Sequence, residues 1–259
     1  MTHPWFEGAA TPRVLAHRGL VTPAGAAQAV VENSFTAVAA AHAAGCHYIE
    51  SDCHLTADGV VVLFHDADLT RVTGDPRPVS DVTAAELEKL MAPHGGLITL
   101  QQALDTFPAV RFNLDVKAPA AATPVGILVA PHSDRVLITS FSDDRRREAL
   151  AAASRAGPGI RPATSAGTAT ITRLLAALTA RSDRLVRRAL AGIDAVQVPE
   201  RHRRLRILTP RLIAAAHRHD VEVHVWTVND PESMRRLVAM GVDGIVTDRA
   251  DTALQTLRY

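Results

Sequence analysis

At 259 residues with 47% hydrophobic content, the chain is long enough to bury one large core. A formal net charge of +1 excludes a whole-protein field that would draw it to nucleic acid or anionic membrane. Cys46 and Cys53 are too few for a disulfide framework, and no apolar segment is long enough to span a bilayer.

From the N-terminus, Met1-Thr2-His3-Pro4-Trp5-Phe6-Glu7 lacks the charged leader and hydrophobic stretch of a signal peptide. With reduced cysteines, the expected location is cytoplasmic. Strand 13–17 ends in His17-Arg18-Gly19. Glu32 and Asn33 precede helix 34–44, with Asn33 read as its cap. Strand 47–52 follows and carries Glu50 and Asp52 at i and i+2, which share a face. Cys53 falls on the opposite face, toward the covering helices. His54 has the parity of the two acids and either reaches a pocket rim or caps the next loop, the second being favoured.

After the turn at Asp58-Gly59, a short extra strand over 60–64 runs into His65-Asp66. Residues 69–79 read as an exposed loop punctuated by Gly74, Pro76 and Pro78. Thr83 and Glu86 have capping-box spacing ahead of a short helix to Leu90. Helix 100–107 leads to strand 110–116, which sets Asp115 and Lys117 on one face. Residues 118–130, broken by Pro119, Pro124 and Gly126, read as a loop with one helical turn. Strands then fall at 135–140, 159–163, 195–198, 222–226 and 244–247. Helices fall at 143–156, 168–189, 210–219, 231–240 and 249–258. Thr209-Pro210 and Asp230-Pro231 are start signals, and Gly241 is a left-handed stop. The basic runs Arg145-Arg146-Arg147 and Arg201-His202-Arg203-Arg204 lack interleaved aromatics and read as solvated faces rather than a nucleic-acid patch. Alternation over this length predicts one domain, residues 1–259, folded as an α/β (β/α)8 TIM-type barrel with a small insertion between barrel strands 2 and 3.

Acids, histidines and cations thus gather at the C-terminal ends of apolar strands, where barrel enzymes hold their active groups. Buried neighbouring carboxylates need a compensating cation. Glu50, Asp52 and Asp115 offer oxygen only, which suits Mg²⁺ or Ca²⁺, with Mn²⁺ possible, rather than Zn²⁺. Arg18 and Lys117 are natural phosphate partners. His17 and His65 are imidazoles, a side-chain type suited to acid and base roles. Glu32 is expected to orient Arg18 or touch substrate. Trp226 lines the pocket in one reading and is ordinary core in the other. His224 is read as a hydrogen-bonded interior histidine, and Asp66 as a holder of His65.

At these residues the chain resembles the glycerophosphodiester phosphodiesterase family. The matching elements are Ala16-His17-Arg18-Gly19, Glu32-Asn33-Ser34, Glu50-Ser51-Asp52 with Leu55-Thr56-Ala57-Asp58-Gly59, and His65-Asp66. Thr99-Leu100, Asn113-Leu114-Asp115-Val116-Lys117 and Val225-Trp226-Thr227-Val228-Asn229 follow in the family's order. The resemblance implies a barrel hydrolase that splits a small-molecule phosphodiester into an alcohol and a phosphomonoester such as glycerol 3-phosphate. It implies metal binding by Glu50, Asp52 and Asp115, acid/base catalysis by His17 and His65, and phosphate contacts from Arg18 and Lys117. In the family a neighbouring glycerol hydroxyl attacks first and water opens the cyclic product. Asp115 stands where the family usually has Glu, one methylene longer.

Two alternatives remain. A lysophospholipase D or sphingomyelinase D-like enzyme would favour an exposed apolar rim and a disulfide-bearing chain, neither of which the sequence displays. A non-catalytic phosphate-binding barrel would lack one of the histidines or acids, yet every position is filled.

Overall fold

The structure is a computed structural model that describes residues 3–8, 11–157 and 159–257. Its strands are β1 (Arg13–His17), β2 (Tyr48–Leu55), β3 (Val61–Leu63), β4 (Arg111–Val116), β5 (Val136–Thr139) and β6 (Ala163–Thr164). They continue as β7 (Ala195–Val198), β8 (Arg201–His202), β9 (Leu205–Arg206), β10 (Glu222–Val225) and β11 (Gly244–Thr247). Eight of them form a parallel ladder in the order β6-β5-β4-β2-β1-β11-β10-β7. A bridge from Ser165 to Ala195 joins its two ends. There the Asp194 amide donates to the Thr164 carbonyl and the Ala166 amide to the Ala195 carbonyl. The result is the expected (β/α)8 barrel. β3 pairs antiparallel with β2, and β8 with β9.

Alternation along each strand sorts side chains between two layers. Ala16, Ile49, Cys53, Leu114, Ile138, Val196 and Ile245 point outward into the core under the helices. Leu15, Tyr48, Leu137, Ala163, Ala195 and Val246 point inward and fill the lower barrel together with Trp5 and Phe6. This parity puts Tyr48 deep and Glu50, then Asp52, progressively higher on the same inner face. Trp5 and Phe6 come from the short turn Pro4–Phe6 and close the barrel floor.

Several expectations are corrected. Strand 159–163 is displaced: β6 comprises Ala163–Thr164 alone. The segment expected as helix 168–189 is two helices, Thr168–Thr179 and Asp183–Leu190. Arg181 is left-handed at φ 54° and Ser182 caps the second helix, its side chain accepting from the Leu185 amide. Both halves are amphipathic, so periodicity alone hides the break. Residues 118–130 hold a real helix, Ala122–Val129, in which Pro124 sits in the first turn and removes no bonded donor. Gly126 lets this helix approach Asp143–Ala156 closely, since a Cβ there would stand 2.2 Å from the Ala149 carbonyl oxygen.

The insertion is no bare loop either. Leu69 and Val79 are buried with Val62, Phe64, Val82, Leu87, Met91 and Leu97 in a separate small core. Its helix Ala84–Met91 starts with the expected Thr83–Glu86 capping box. The final helix is Ala250–Thr256. Arg258, expected within it, lies outside the described residues, as do Met1 and Thr2.

Candidate active site

The chain turns sharply where β1 ends. Arg18 is left-handed at φ 59° and Gly19 at φ 89°. Only glycine fits at 19, because a Cβ would lie 2.6 Å from the Ala37 carbonyl carbon. The turn presses the chain against helix Phe35–Ala43 and is fixed by the Arg18 amide donating to the Glu50 carbonyl. A left-handed arginine is strained backbone held by its surroundings. Asn33 is also left-handed, at φ 57°. It is not the helix cap that was expected; Ser34 has that role. Asn33 is buried instead, donating to Asp52 Oδ2 at 2.9 Å and accepting from Ser51 Oγ at 2.6 Å.

Glu50, Asp52 and Asp115 meet inside the barrel mouth, paired across β2 and β4, with Asp52 directly opposite Asp115. Lys117 Nζ sits between them, 2.9 Å from Asp52 Oδ1 and 2.6 Å from Asp115 Oδ2. Arg18 Nε lies 3.0 Å from Asp52 Oδ2, an ion pair whose alignment falls short of a hydrogen bond. Burial raises the pKa of every carboxyl here, but the two cations outweigh it at Asp52, whose carboxyl is held below its ordinary value. At Glu50 burial, reinforced by the charges of Asp52 and Asp115, wins by a wide margin and drives the carboxyl up. Burial also wins at Asp115, against Lys117. For Lys117 burial lowers the pKa, yet the two aspartates raise it further, so it stays charged.

Among the described residues no three acid, histidine or cysteine side chains close around one ion position. Glu50 Oε2, Asp115 Oδ1 and Asn113 Oδ1 are nevertheless buried without a hydrogen-bond partner. Unsatisfied oxygens on three residues that are neighbours across β2 and β4 suit a hard cation.

Both histidines are carboxylate-held. His17 Nδ1 lies 2.6 Å from Asp248 Oδ1, and Asn229 Nδ2 donates to Asp248 Oδ2 at 2.7 Å. His65 Nδ1 lies 2.6 Å from Asp66 Oδ1, and Arg71 Nε donates to Asp66 Oδ2 at 2.6 Å. The hydrogen bond to His17 comes first among the causes that hold Asp248 low. Burial raises Asp66, but Arg71 and His65 bring it below its ordinary value. A carboxylate only accepts, so each Nδ1 carries a proton and each Nε2 is free for chemistry. His17 Nε2 lies 3.9 Å from Glu50 Oε2.

His17, Arg18, Glu50, Asp52, His65, Asp115, Lys117 and Trp226 all line one cavity of about 620 Å³. Glu32 does not; it braces the wall from behind, 3.5 Å from Arg18 and 2.7 Å from Arg71. His54 is buried and its Nε2 lies 3.2 Å from the His65 carbonyl, so it secures the loop that presents His65. His224 is fully buried, 3.0 Å from Glu222 and 3.2 Å from Gln197. Sequence reasoning passed over Asn113, which shares Asp115's parity, and Asp248, which directly follows β11. The same strand rules that found Glu50 would have found both. It also missed the character of the outer wall. Phe141 and Leu205 are exposed there, with Ile171, Leu175 and Ile207 beside them, so the mouth does have an apolar rim.

The family model for the glycerophosphoryl diester phosphodiesterase family matches residues 17–252. A Mycobacterium tuberculosis protein described as probable glycerophosphodiester phosphodiesterase 2 is 38% identical over 243 residues, covering 92% of this chain and 87% of its own. The Thermotoga maritima glycerophosphodiester phosphodiesterase superposes with a TM-score of 0.73 at 24% identity, covering 97% of this chain and 100% of that one. An Oleispira antarctica phosphodiesterase, solved with the product sn-glycerol-3-phosphate, gives a TM-score of 0.70 at 20% identity, over 95% of this chain and 97% of its own. The fold and these matches define a barrel enzyme of the phosphoric diester hydrolase class. The chain belongs to the glycerophosphoryl diester phosphodiesterase family.

Proposed function

We propose that the protein hydrolyses small glycerophosphodiesters to an alcohol and sn-glycerol 3-phosphate, with a divalent metal and with His17 and His65 as acid and base. The observation that carries this reading is the meeting of two carboxylate-held imidazoles, two cations and unsatisfied acid oxygens on one cavity. The product held by the Oleispira antarctica relative supports the substrate class. Glu50, Asp52 and Asp115 would hold Mg²⁺, Ca²⁺ or Mn²⁺, with Asn113 Oδ1 a further donor. When bound, the ion supplies positive charge to the non-bridging phosphoryl oxygens.

Arg18 and Lys117 bind the remaining phosphate charge, Arg18 through donors that Asp52 and Glu32 hold in place. One imidazole takes a proton at Nε2 from the attacking hydroxyl, whether of water or of a neighbouring glycerol carbon. The other, as the imidazolium, gives its Nε2 proton to the departing alcohol oxygen as the phosphorus–oxygen bond breaks; where the glycerol hydroxyl attacks, water then opens the cyclic product with the two roles reversed. Asp248 and Asp66 stabilise the imidazolium forms and keep Nε2 toward the reacting oxygens. Trp226 packs against carbon.

The test is release of sn-glycerol 3-phosphate from glycerophosphocholine, with and without chelator. Chelator-sensitive release is expected and is restored by added Mg²⁺, Ca²⁺ or Mn²⁺. Undiminished turnover after exhaustive chelation overturns the metal, and no turnover with any of the three ions overturns the substrate class.

A further inference from the structure

The β8–β9 hairpin stands at the cavity mouth and presents two unlike faces. His202 and Leu205 are cross-strand partners, so they share a face, and both line the cavity. Arg201 and Arg206, the other opposed pair, take the outer face, and Arg203 and Arg204 form the turn between the strands. All of residues 201–206 are exposed. Leu205 is 68% exposed and Phe141, which lines the same cavity, is 60% exposed. These are the two most exposed large apolar side chains among the described residues.

Charge is concentrated in the same place. Residues 201–211 contain five of the chain's 28 cations and none of its 27 acids, so a nearly neutral protein carries +5 in one short segment and −4 elsewhere. Neighbouring acids answer little of it. Arg206 has Glu200 at 3.9 Å. Among the described residues Arg201, Arg203, Arg204 and Arg211 form no ion pair.

We propose that the barrel mouth docks on an anionic lipid surface through this hairpin and Phe141. A lipid surface answers both halves of the pattern: its headgroups attract the arginines, and its interfacial layer takes up exposed apolar side chains. Nucleic acid would answer only the charge. It would leave Leu205 in water, and the hairpin has no Phe, Tyr or Trp on which a base stacks. Phe141 is already engaged edge-on with Trp226 at 5.9 Å. Docking in this pose holds the mouth of the cavity against the lipid surface, whatever alcohol the site prefers.

The experiment is flotation of the full chain with phosphatidylcholine vesicles, with and without phosphatidylglycerol, at low and high salt. Binding is expected only with phosphatidylglycerol and falls as salt rises. Each arginine near an anionic surface contributes about fivefold to partitioning, so Arg203→Ala with Arg204→Ala should lower it about 25-fold. Leu205→Ser, which changes no charge, should lower it several-fold more. Failure to bind phosphatidylglycerol vesicles overturns the proposal. So does binding that neither set of substitutions weakens, or binding to polyadenylate that is tighter than to the vesicles and is insensitive to Leu205→Ser. All of these readouts are independent of turnover.

Discussion

The two ends of the barrel solve the problem of buried charge in opposite ways. At the floor, Arg13 forms a bidentate pair with Glu222 at 2.7 and 2.8 Å, donates to Tyr48 Oη at 2.6 Å and reaches the Phe6 carbonyl at 2.8 Å. Tyr48 in turn donates to the Trp5 carbonyl, and His224 lies 3.0 Å from Glu222. Each charge has its partner. At the mouth, three acids share Lys117 and Arg18, and buried oxygens of Glu50, Asn113 and Asp115 go unanswered. The satisfied end contributes stability, and the unsatisfied end is poised to receive something. A barrel keeps the two apart along one set of strands, so β10 serves the floor and β2 serves both.

Substitutions at the two ends should therefore separate activity from stability. The largest effect is expected for His17→Ala and His65→Ala. Each should lose about 10²–10⁴-fold in kcat on glycerophosphocholine, while the melting temperature stays near that of the native chain. A histidine variant that melts early but turns over normally would invert the comparison.

Next comes Glu222→Gln at the floor. It leaves the Arg13 guanidinium buried without its carboxylate and should cost about 3–5 kcal/mol in denaturant unfolding, with little change in kcat. Burial raises the Glu222 carboxyl, but hydrogen bonds from Arg13 and His224 and their charges bring it down to about 2. A depressed carboxyl adds stability above its unfolded value of roughly 4.3. That stability is lost as pH falls from there toward about 2. The native chain should show this acid limb, and Glu222→Gln should flatten it.

Asp248→Asn should reduce kcat by about 10–100-fold with KM nearly unchanged, because an amide fixes the His17 ring less well and removes the charge that supports its imidazolium form. Equal loss in kcat and KM would make Asp248 a substrate contact. The smallest effect belongs to the insertion. Thr83→Ala removes one side of the capping box and should cost about 1 kcal/mol without touching turnover.

Legibility in the sequence followed the same division. Strand parity alone put Glu50 with Asp52 on one face and Asp115 with Lys117 on another strand's, because a period of two leaves no freedom in where a side chain points. Two-residue signals such as Thr209-Pro210 and Asp230-Pro231 marked helix starts correctly, with both caps formed. What escaped was whatever depends on contacts between distant segments. Asn33 looks like a cap and becomes a buried bridge only because β2 brings Ser51 and Asp52 beside it. Gly126 reads as a helix breaker until the partner helix makes closeness an advantage. The break at Arg181 and Ser182 is invisible to periodicity, and the β8–β9 hairpin hides in a basic run that has no period. Asp248 is a different case, since the strand-end rule was available and was not applied to the last strand.

Closure between β6 and β7 has a consequence of its own. β6 has two residues, and the ring is completed there by one bridge and two flanking amide bonds. Like a cask, the assembly is as tight as its shortest stave. Opening along this seam would release the Asp194 and Ala166 amides, so their deuteration should run ahead while β1, β2 and β4 stay protected. Gly167, Thr168 and Ile171, on the apolar bank of the cavity, follow that seam directly in the chain. The apolar bank of the entrance is thereby tied to a joint that a single bridge closes.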